Sequence, residues 1–257
     1  MPRANITTRG QTWHRAFADS FEHANSPFGK SCGDRNAFPR TTPKWDAYPY
    51  PWHGNPNGGS YCPGLTTAIR NGRMDVRLGR AQVGGSSTYV IDAPLPRVGG
   101  HSPFKGQLYG RYAIEFYEPR PFPMFHVSWL LWPDSNVWPR DGEIDFPEAD
   151  TDASRIGAFM HRQGGTSGAD QDAYIVHTPF YGAWHTAVIE WLPTRCTFVL
   201  DGKVIGNSTD PATIPHTPMH LVLQSGLSSD ASSGTSSPGG DIYIDWVEIW
   251  KPSKTGR

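Results

Sequence analysis

The chain has 257 residues, 37% of them hydrophobic, a formal net charge of −1 and a pI near 6.8. That length suits one large all-β or α/β domain, or two small ones, with enough apolar residues for a core. The near-neutral charge gives no reason to expect nucleic acid or an anionic membrane as partner, and no apolar run approaches the ~18 residues of a transmembrane helix.

The N-terminal stretch MPRANITTRGQTWHRAF has no apolar h-region. No signal peptide is read there, so either an export signal has been removed or the protein is not exported by that route. Strand-like runs then recur along the chain: RMDVRLGRA, GRYAIEFYEP, FHVSWLLW, GEIDF, HTAVIEWLP, RCTFVLDGKVI, MHLVLQSG and DIYIDWVEIW. Each is short and bounded by Gly, Pro, Asn or Asp, as strands are. Asp201-Gly202, between two such runs, predicts a tight hairpin. No helical periodicity is sustained beyond about two turns. Many short strands without a long helix predict an all-β fold, a β-sandwich or jelly roll. There is no internal repeat and no clean domain boundary, so 1–257 is read as one domain with its core at about 17–251.

Two segments lack strand character, Asn25 to Thr66 and Ser228 to Gly240. The second is a flexible loop by composition. The first carries Trp45, Tyr48, Tyr50, Trp52 and Tyr61 among Gly and Asn. Long loops of this kind are often functional, so these aromatics either rim a ligand groove or pin the loop to the sheet. The ten tryptophans of the chain pose the same choice, between packed core and stacking platforms for flat apolar ligand faces such as sugar rings. Of the three cysteines, Cys32 and Cys62 lie in loop sequence and are candidates for a disulfide. Cys196, inside a strand-like run, reads as a buried small hydrophobe.

The most informative stretch is WPRDGEIDFPEAD, Trp138 to Asp150. In a regular strand Glu143 and Asp145 share a face and Glu148 points to the other. Pro147 argues against regularity, because proline in a strand is tolerated mainly at edges and bulges. One extra residue accommodated at Phe146-Pro147 shifts the phase by one and returns Glu148 to the face of the other two. The Cα atoms of Glu143 and Glu148 would then lie about 13 Å apart. Side chains leaning inward would bring the carboxyls to about 5–6 Å, near the separation of a retaining glycosidase. Crowded carboxylates push pKa values apart, leaving one group protonated as proton donor and another ionised as nucleophile. Two other readings stay open on the residues alone: a solvated acidic edge to which Asp141, Asp150 and Asp152 add, and a divalent-cation site of oxygen ligands.

GEIDFPE resembles the E-I-D-x-x-E signature of family-sixteen glycoside hydrolases, which include laminarinases, lichenases, agarases and carrageenases. The strand pair ahead of it, the Trp-Pro preceding it, the later segment WHTAVIEWLPTRCTFVLDGKVI, and PMHLVLQSG and IYIDWVEIW are also similar to that family. The resemblance runs from about Phe17 to Lys251, strongest from Tyr109 onward. It implies a β-jelly-roll of two packed antiparallel sheets with substrate across the concave one. It implies Glu143 as nucleophile, Glu148 as general acid and then base, and Asp145 as the residue orienting the nucleophile. Trp129 is expected on the concave face near the cleavage point, and Trp138 at a sugar-stacking position. His161 is expected on the strand next to Glu148, to bond the acid/base or the substrate, and Gln224 at a substrate contact. No cofactor is expected for catalysis. A structural Ca²⁺ is expected at Glu22, the Gly72 carbonyl and Asp245. The sequence departs from the family pattern at Phe125 and His126, where Trp and Pro are usual, so laminarin specificity does not transfer simply.

The expected activity is retaining endo-hydrolysis of a β-linked polysaccharide, β-1,3- or mixed β-1,3/1,4-glucan. A β-galactan hydrolase or a transglycosylase is the alternative, and a non-catalytic glucan-binding jelly roll the second alternative. Polymeric substrate implies a secreted protein, expected to be a monomer.

Overall fold

The computed structural model describes residues 4–38, 44–54, 58–100, 102–165, 170–229, 231 and 237–253. The larger sheet follows the order Lys203–Ser208, Arg195–Leu200, Trp184–Leu192, Gly110–Tyr117, Gly240–Pro252, Arg73–Val83, Ser86–Ile91, Ser60–Tyr61. Asn5–Thr8, Gln11–Asp19 and Thr67–Arg70 attach beside that path. The smaller sheet has five antiparallel strands, in the order Gln171–Val176, Ile156–His161, Glu143–Asp150, Phe125–Pro133, Met219–Leu227. The only α-helix among the described residues is the single turn Pro63–Thr66.

Alternation along the strands builds the core between the sheets. On Gly110–Tyr117 the side chains of Tyr112, Ile114 and Phe116 are buried. On Phe125–Pro133 they are Phe125, Val127, Trp129 and Leu131. The two sheets meet through aromatic contacts: Trp129 edge-on to Phe116 at 5.1 Å, and Phe146 edge-on to Phe198 at 5.5 Å. Each such ring taken fully out of water contributes about 1.5–3 kcal/mol before entropy is counted. This is the all-β sandwich expected from the run of short strands.

The Asp201-Gly202 hairpin forms as read, with both residues at positive φ (50° and 78°) between Arg195–Leu200 and Lys203–Ser208. Such a turn needs φ > 0 at both central positions, which Asp and Gly tolerate. Cys32 and Cys62 are disulfide-bonded and Cys196 is free and buried. The Asn25–Thr66 segment is less bare than its sequence suggests. It holds Trp45–Ala47, paired with Pro94–Pro96, and the short Ser60–Tyr61 strand. Within the two long segments, residues 39–43, 55–57, 230 and 232–236 lie outside the described part.

Candidate active site

The acidic strand, Glu143–Asp150, is bulged. Against the Ile156–His161 strand, Asp145 pairs with Phe159 and Glu148 with Gly157, so that two residues, Phe146 and Pro147, face the single Ala158. Against the Phe125–Pro133 strand the same slip separates the Leu130–Asp145 and Ser128–Glu148 pairs. Both neighbours therefore skip one residue at Phe146-Pro147, where proline has no N–H to leave unpaired. Phe146 turns to the core, as do Ile144 and Ala149. Glu143, Asp145 and Glu148 are left on the face turned away from it.

Glu143 lies opposite His161 in the register. The His161 imidazole Nε2 is 3.2 Å from Asp145 Oδ2 and 3.7 Å from Glu143 Oε2, near enough to interact by charge. Trp138, edge-on to His161 at 6.0 Å, hydrogen-bonds Glu143. Burial, reinforced by Asp145 and Glu148, outweighs His161 and Trp138 and pushes the Glu143 carboxyl up to about 9. Burial and then Glu148 also raise Asp145 well above the usual carboxylate range. Burial and mutual repulsion thus raise both carboxyls together. Glu143, Asp145 and His161 each bring one ligand atom within 4.8 Å of the others, a spacing that would also admit a cation. His161 thus lies on the strand next to Glu148, as expected, but its imidazole meets the Glu143–Asp145 end of that strand rather than Glu148.

At the other end Glu148 meets His126. Imidazole Nε2 is 3.1 Å from Glu148 Oε1 and 3.1 Å from Ser128 Oγ, while Nδ1 is 2.8 Å from Asp150 Oδ1. Burial alone would lower the imidazole, but hydrogen bonds and charge from Asp150 and Glu148 push it up to about 9. The hydrogen bond with His126, with help from its charge, holds Asp150 below the usual range. His126 therefore carries a positive charge at neutral pH. A row across four strands, Gln224–Ser128–Glu148–Gly157, crosses the site here. Gln224 lines a cavity of about 220 Å³ with Tyr61, His126, Ser128 and Glu148. Across the same His126–Glu148 pair a second cavity, about 380 Å³, is lined by Asp150, Arg155, Phe159 and Ile175. Gly157 lets the Phe159 ring lie close over the strand on that side, since a Cβ there would stand 2.6 Å from the ring.

Trp129 does not reach this face. It is 2% exposed and packs against Phe116 of the opposite sheet. The reason is parity: in Phe125–Pro133 the polar His126 and Ser128 take the outer face, so Val127 and Trp129 must take the inner one. The alternation FHVSW carried that signal, and it also pointed to His126, which sequence reasoning noted only as a departure from pattern. Of the loop aromatics, Trp45 and Tyr61 are buried in the core. Tyr48, Trp52 and Phe104 form a cluster, with ring centroids 5.4 to 6.2 Å apart, whose Trp52 and Phe104 are exposed. Burial and then the Glu143 charge push the Tyr48 hydroxyl up to about 12, so this cluster borders the acidic site. Phe104 was not found from sequence, having no strand or motif around it.

The expected calcium ligands are partly assembled. Gly72, at φ +70°, lies against Glu22, whose Cγ would be 3.9 Å from a Cβ built on the glycine. Asp245 instead faces the Arg73 guanidinium at 3.5 Å. Carboxylate and carbonyl oxygens are the donors Ca²⁺ takes, and Arg73 would compete with the ion for Asp245.

Two packed antiparallel sheets, with three carboxyls converging on the outer face of the smaller, are the framework of a jelly-roll carbohydrate-active enzyme. The chain belongs to that framework's glycosyl hydrolases family 16, whose family profile matches residues 101–248, and it is a glycoside hydrolase. No curated protein matches the sequence. Among solved structures, the chain is similar to an endo-β-1,3-glucanase from Pyrococcus furiosus (TM-score 0.71, 17% identity, 99% of this chain and 100% of that one). It is likewise similar to the laminarinase from Rhodothermus marinus (TM-score 0.68, 17% identity, 96% and 100%). A third similar structure is a variant of LamA from Zobellia galactanivorans in complex with laminaritriose and laminaritetraose (TM-score 0.66, 18% identity, 92% and 98%). At these identities the likeness is one of fold.

Proposed function

We propose that the protein is a retaining endo-glycosidase acting on a β-1,3- or mixed β-1,3/1,4-glucan. The observation that carries this reading is the double register slip at Phe146-Pro147, with Glu143 and Glu148 on one face and different basic partners. The β-glucan preference draws on the structures of similar fold, an endo-β-1,3-glucanase, a laminarinase and a LamA complex with laminari-oligosaccharides.

In this reading Glu143 attacks the anomeric carbon and Glu148 protonates the departing oxygen. Glu148 then deprotonates the water that releases the glycosyl-enzyme, so configuration is retained. Asp145, buried between them, accepts a hydrogen bond from the protonated Glu143 and orients it. Burial favours the neutral Glu143, whereas attack needs the carboxylate. The His161 charge and the Trp138 hydrogen bond work toward the ionised form. Trp138, 37% exposed, offers a face for a sugar ring, and Gln224 a polar contact. We also assign to this protein a secreted location, where polymeric substrate is met, a monomeric state, and a structural calcium held by Glu22, the Gly72 carbonyl and Asp245.

The test is product analysis on laminarin, lichenan and agarose side by side, with wild type, Glu143→Gln and Glu148→Gln. Oligosaccharides from laminarin or lichenan are expected from wild type, with first-formed products of retained configuration. Glu148→Gln should lose about 10²–10⁴-fold, the usual contribution of a general acid–base, and Glu143→Gln should release nothing. Release from agarose alone would move the substrate to β-galactan. Unimpaired hydrolysis by either variant would overturn the roles.

A further inference from the structure

His126 lies outside the three carboxyls yet touches one of them. Its two ring nitrogens are both engaged, Nδ1 by Asp150 and Nε2 by Glu148 and Ser128. The side chain is 29% exposed and stands in the wall between two cavities, one on either side of the Glu148 carboxyl. An imidazole clamped by two carboxylates donates from both nitrogens, so its ring plane is set and its charge is retained.

We propose that His126, held by Asp150, is a positioning residue for the acid/base carboxyl: it fixes the Glu148 rotamer through Oε1, leaves Oε2 for the substrate, and supplies a cation that stabilises Glu148 whenever it is ionised. The proposal rests on Glu148 being the acid/base. Glu148 becomes a carboxylate as it gives its proton to the leaving oxygen and must stay one until it takes a proton from water. An adjacent charge-assisted donor lowers the energy of the carboxylate at both points. No bond to His126 forms or breaks.

Several charged or titratable groups surround the imidazole. Glu148 and Asp150 contact it from the acidic strand, and Asp145 on the same strand feels its charge. Arg155 lines one adjoining cavity and Tyr61 the other. The strand on its other side, Met219–Leu227, brings only Gln224, Ser225, Gly226 and Leu227 to the adjoining cavity, none of which titrates. The two carboxylates in direct contact outweigh the distant arginine, so the cation persists through neutral pH.

The experiment compares pH profiles of kcat/KM on the best glucan for wild type, His126→Ala, His126→Gln and Asp150→Asn, with thermal unfolding of each as a folding control. His126→Ala takes the cation away from the carboxyl that hands over the proton. In His126→Ala the alkaline limb should therefore move up by about one pH unit, with kcat down about tenfold or more. His126→Gln keeps a neutral donor and should recover part of kcat while the limb stays displaced. Asp150→Asn, which leaves His126 in place, should give a smaller shift of the same sign. In a Glu148→Gln background, His126→Ala should cost no further activity, because the histidine acts only through that carboxyl. An alkaline limb unmoved in folded His126→Ala, or equal losses with and without Glu148, would overturn the proposal. Full activity in Glu148→Gln alone would instead sink the assignment of Glu148 itself.

Discussion

Trp129→Ala separates a core tryptophan from a sugar platform. The indole is 2% exposed, and its ring meets Phe116 of the opposite sheet at 5.1 Å and 75°. Truncating a buried tryptophan loses its transfer free energy and leaves a cavity, a cost of about 3–5 kcal/mol. For a chain of this size each kcal/mol lowers Tm by about 2–4 °C, so the variant should melt about 10 °C or more below wild type. The assay is thermal or guanidinium unfolding together with kcat and KM on a soluble β-glucan, measured well below the variant's Tm. Among folded molecules KM should stay within about twofold, because no part of Trp129 faces the substrate side. A Tm equal to wild type with a KM raised tenfold would mean that the tryptophan lines the substrate groove and that the strand parity argued here is wrong.

Trp138→Ala should show the reverse pattern. The side chain is 37% exposed, so Tm should change little, while KM rises about tenfold, equivalent to ~1.4 kcal/mol of lost stacking. Glu143→Gln should stabilise the protein at pH 8. A folded-state pKa raised to about 9 contributes stability below the ordinary carboxyl value and loses it as pH rises through that range. The gain should therefore be about 2 kcal/mol or more at pH 8 by chemical denaturation and vanish below about pH 4; an equal gain at both pH values would count against burial as its cause. Cys32→Ala should cost about 3–4 kcal/mol, the chain entropy of opening a loop whose ends are 30 residues apart, and reduction of wild type should give a similar loss. If Glu22, Gly72 and Asp245 hold calcium, millimolar CaCl₂ should raise Tm relative to EDTA, and Glu22→Ala should abolish the difference; no difference in wild type would remove the ion from the account.

Local signals were enough for the strands, the Asp201-Gly202 turn and the phase slip at Pro147, because each depends on a few neighbouring residues. A period of two, φ > 0 at a tight turn, and a proline without a ladder donor are all written in short stretches. The bulge was legible for the same reason, and with it the common face of Glu143, Asp145 and Glu148. The exact register of one strand against the next was not legible. His161 came to Glu143 rather than Glu148 because register places it four residues along its strand from Gly157, the partner of Glu148. His126 became the partner of Glu148 because the Phe125–Pro133 strand slips by one residue against the bulge and aligns Ser128 with it. Trp129 lies between these cases: its parity was present in FHVSW, but only the facing sheet, with Phe116 ready to receive the ring, showed which parity was the core. Residue identity thus determined the chemistry this chain carries and the local shape of the acidic strand. Pairing across strands, a matter of long-range contacts, decided which basic group serves which carboxyl.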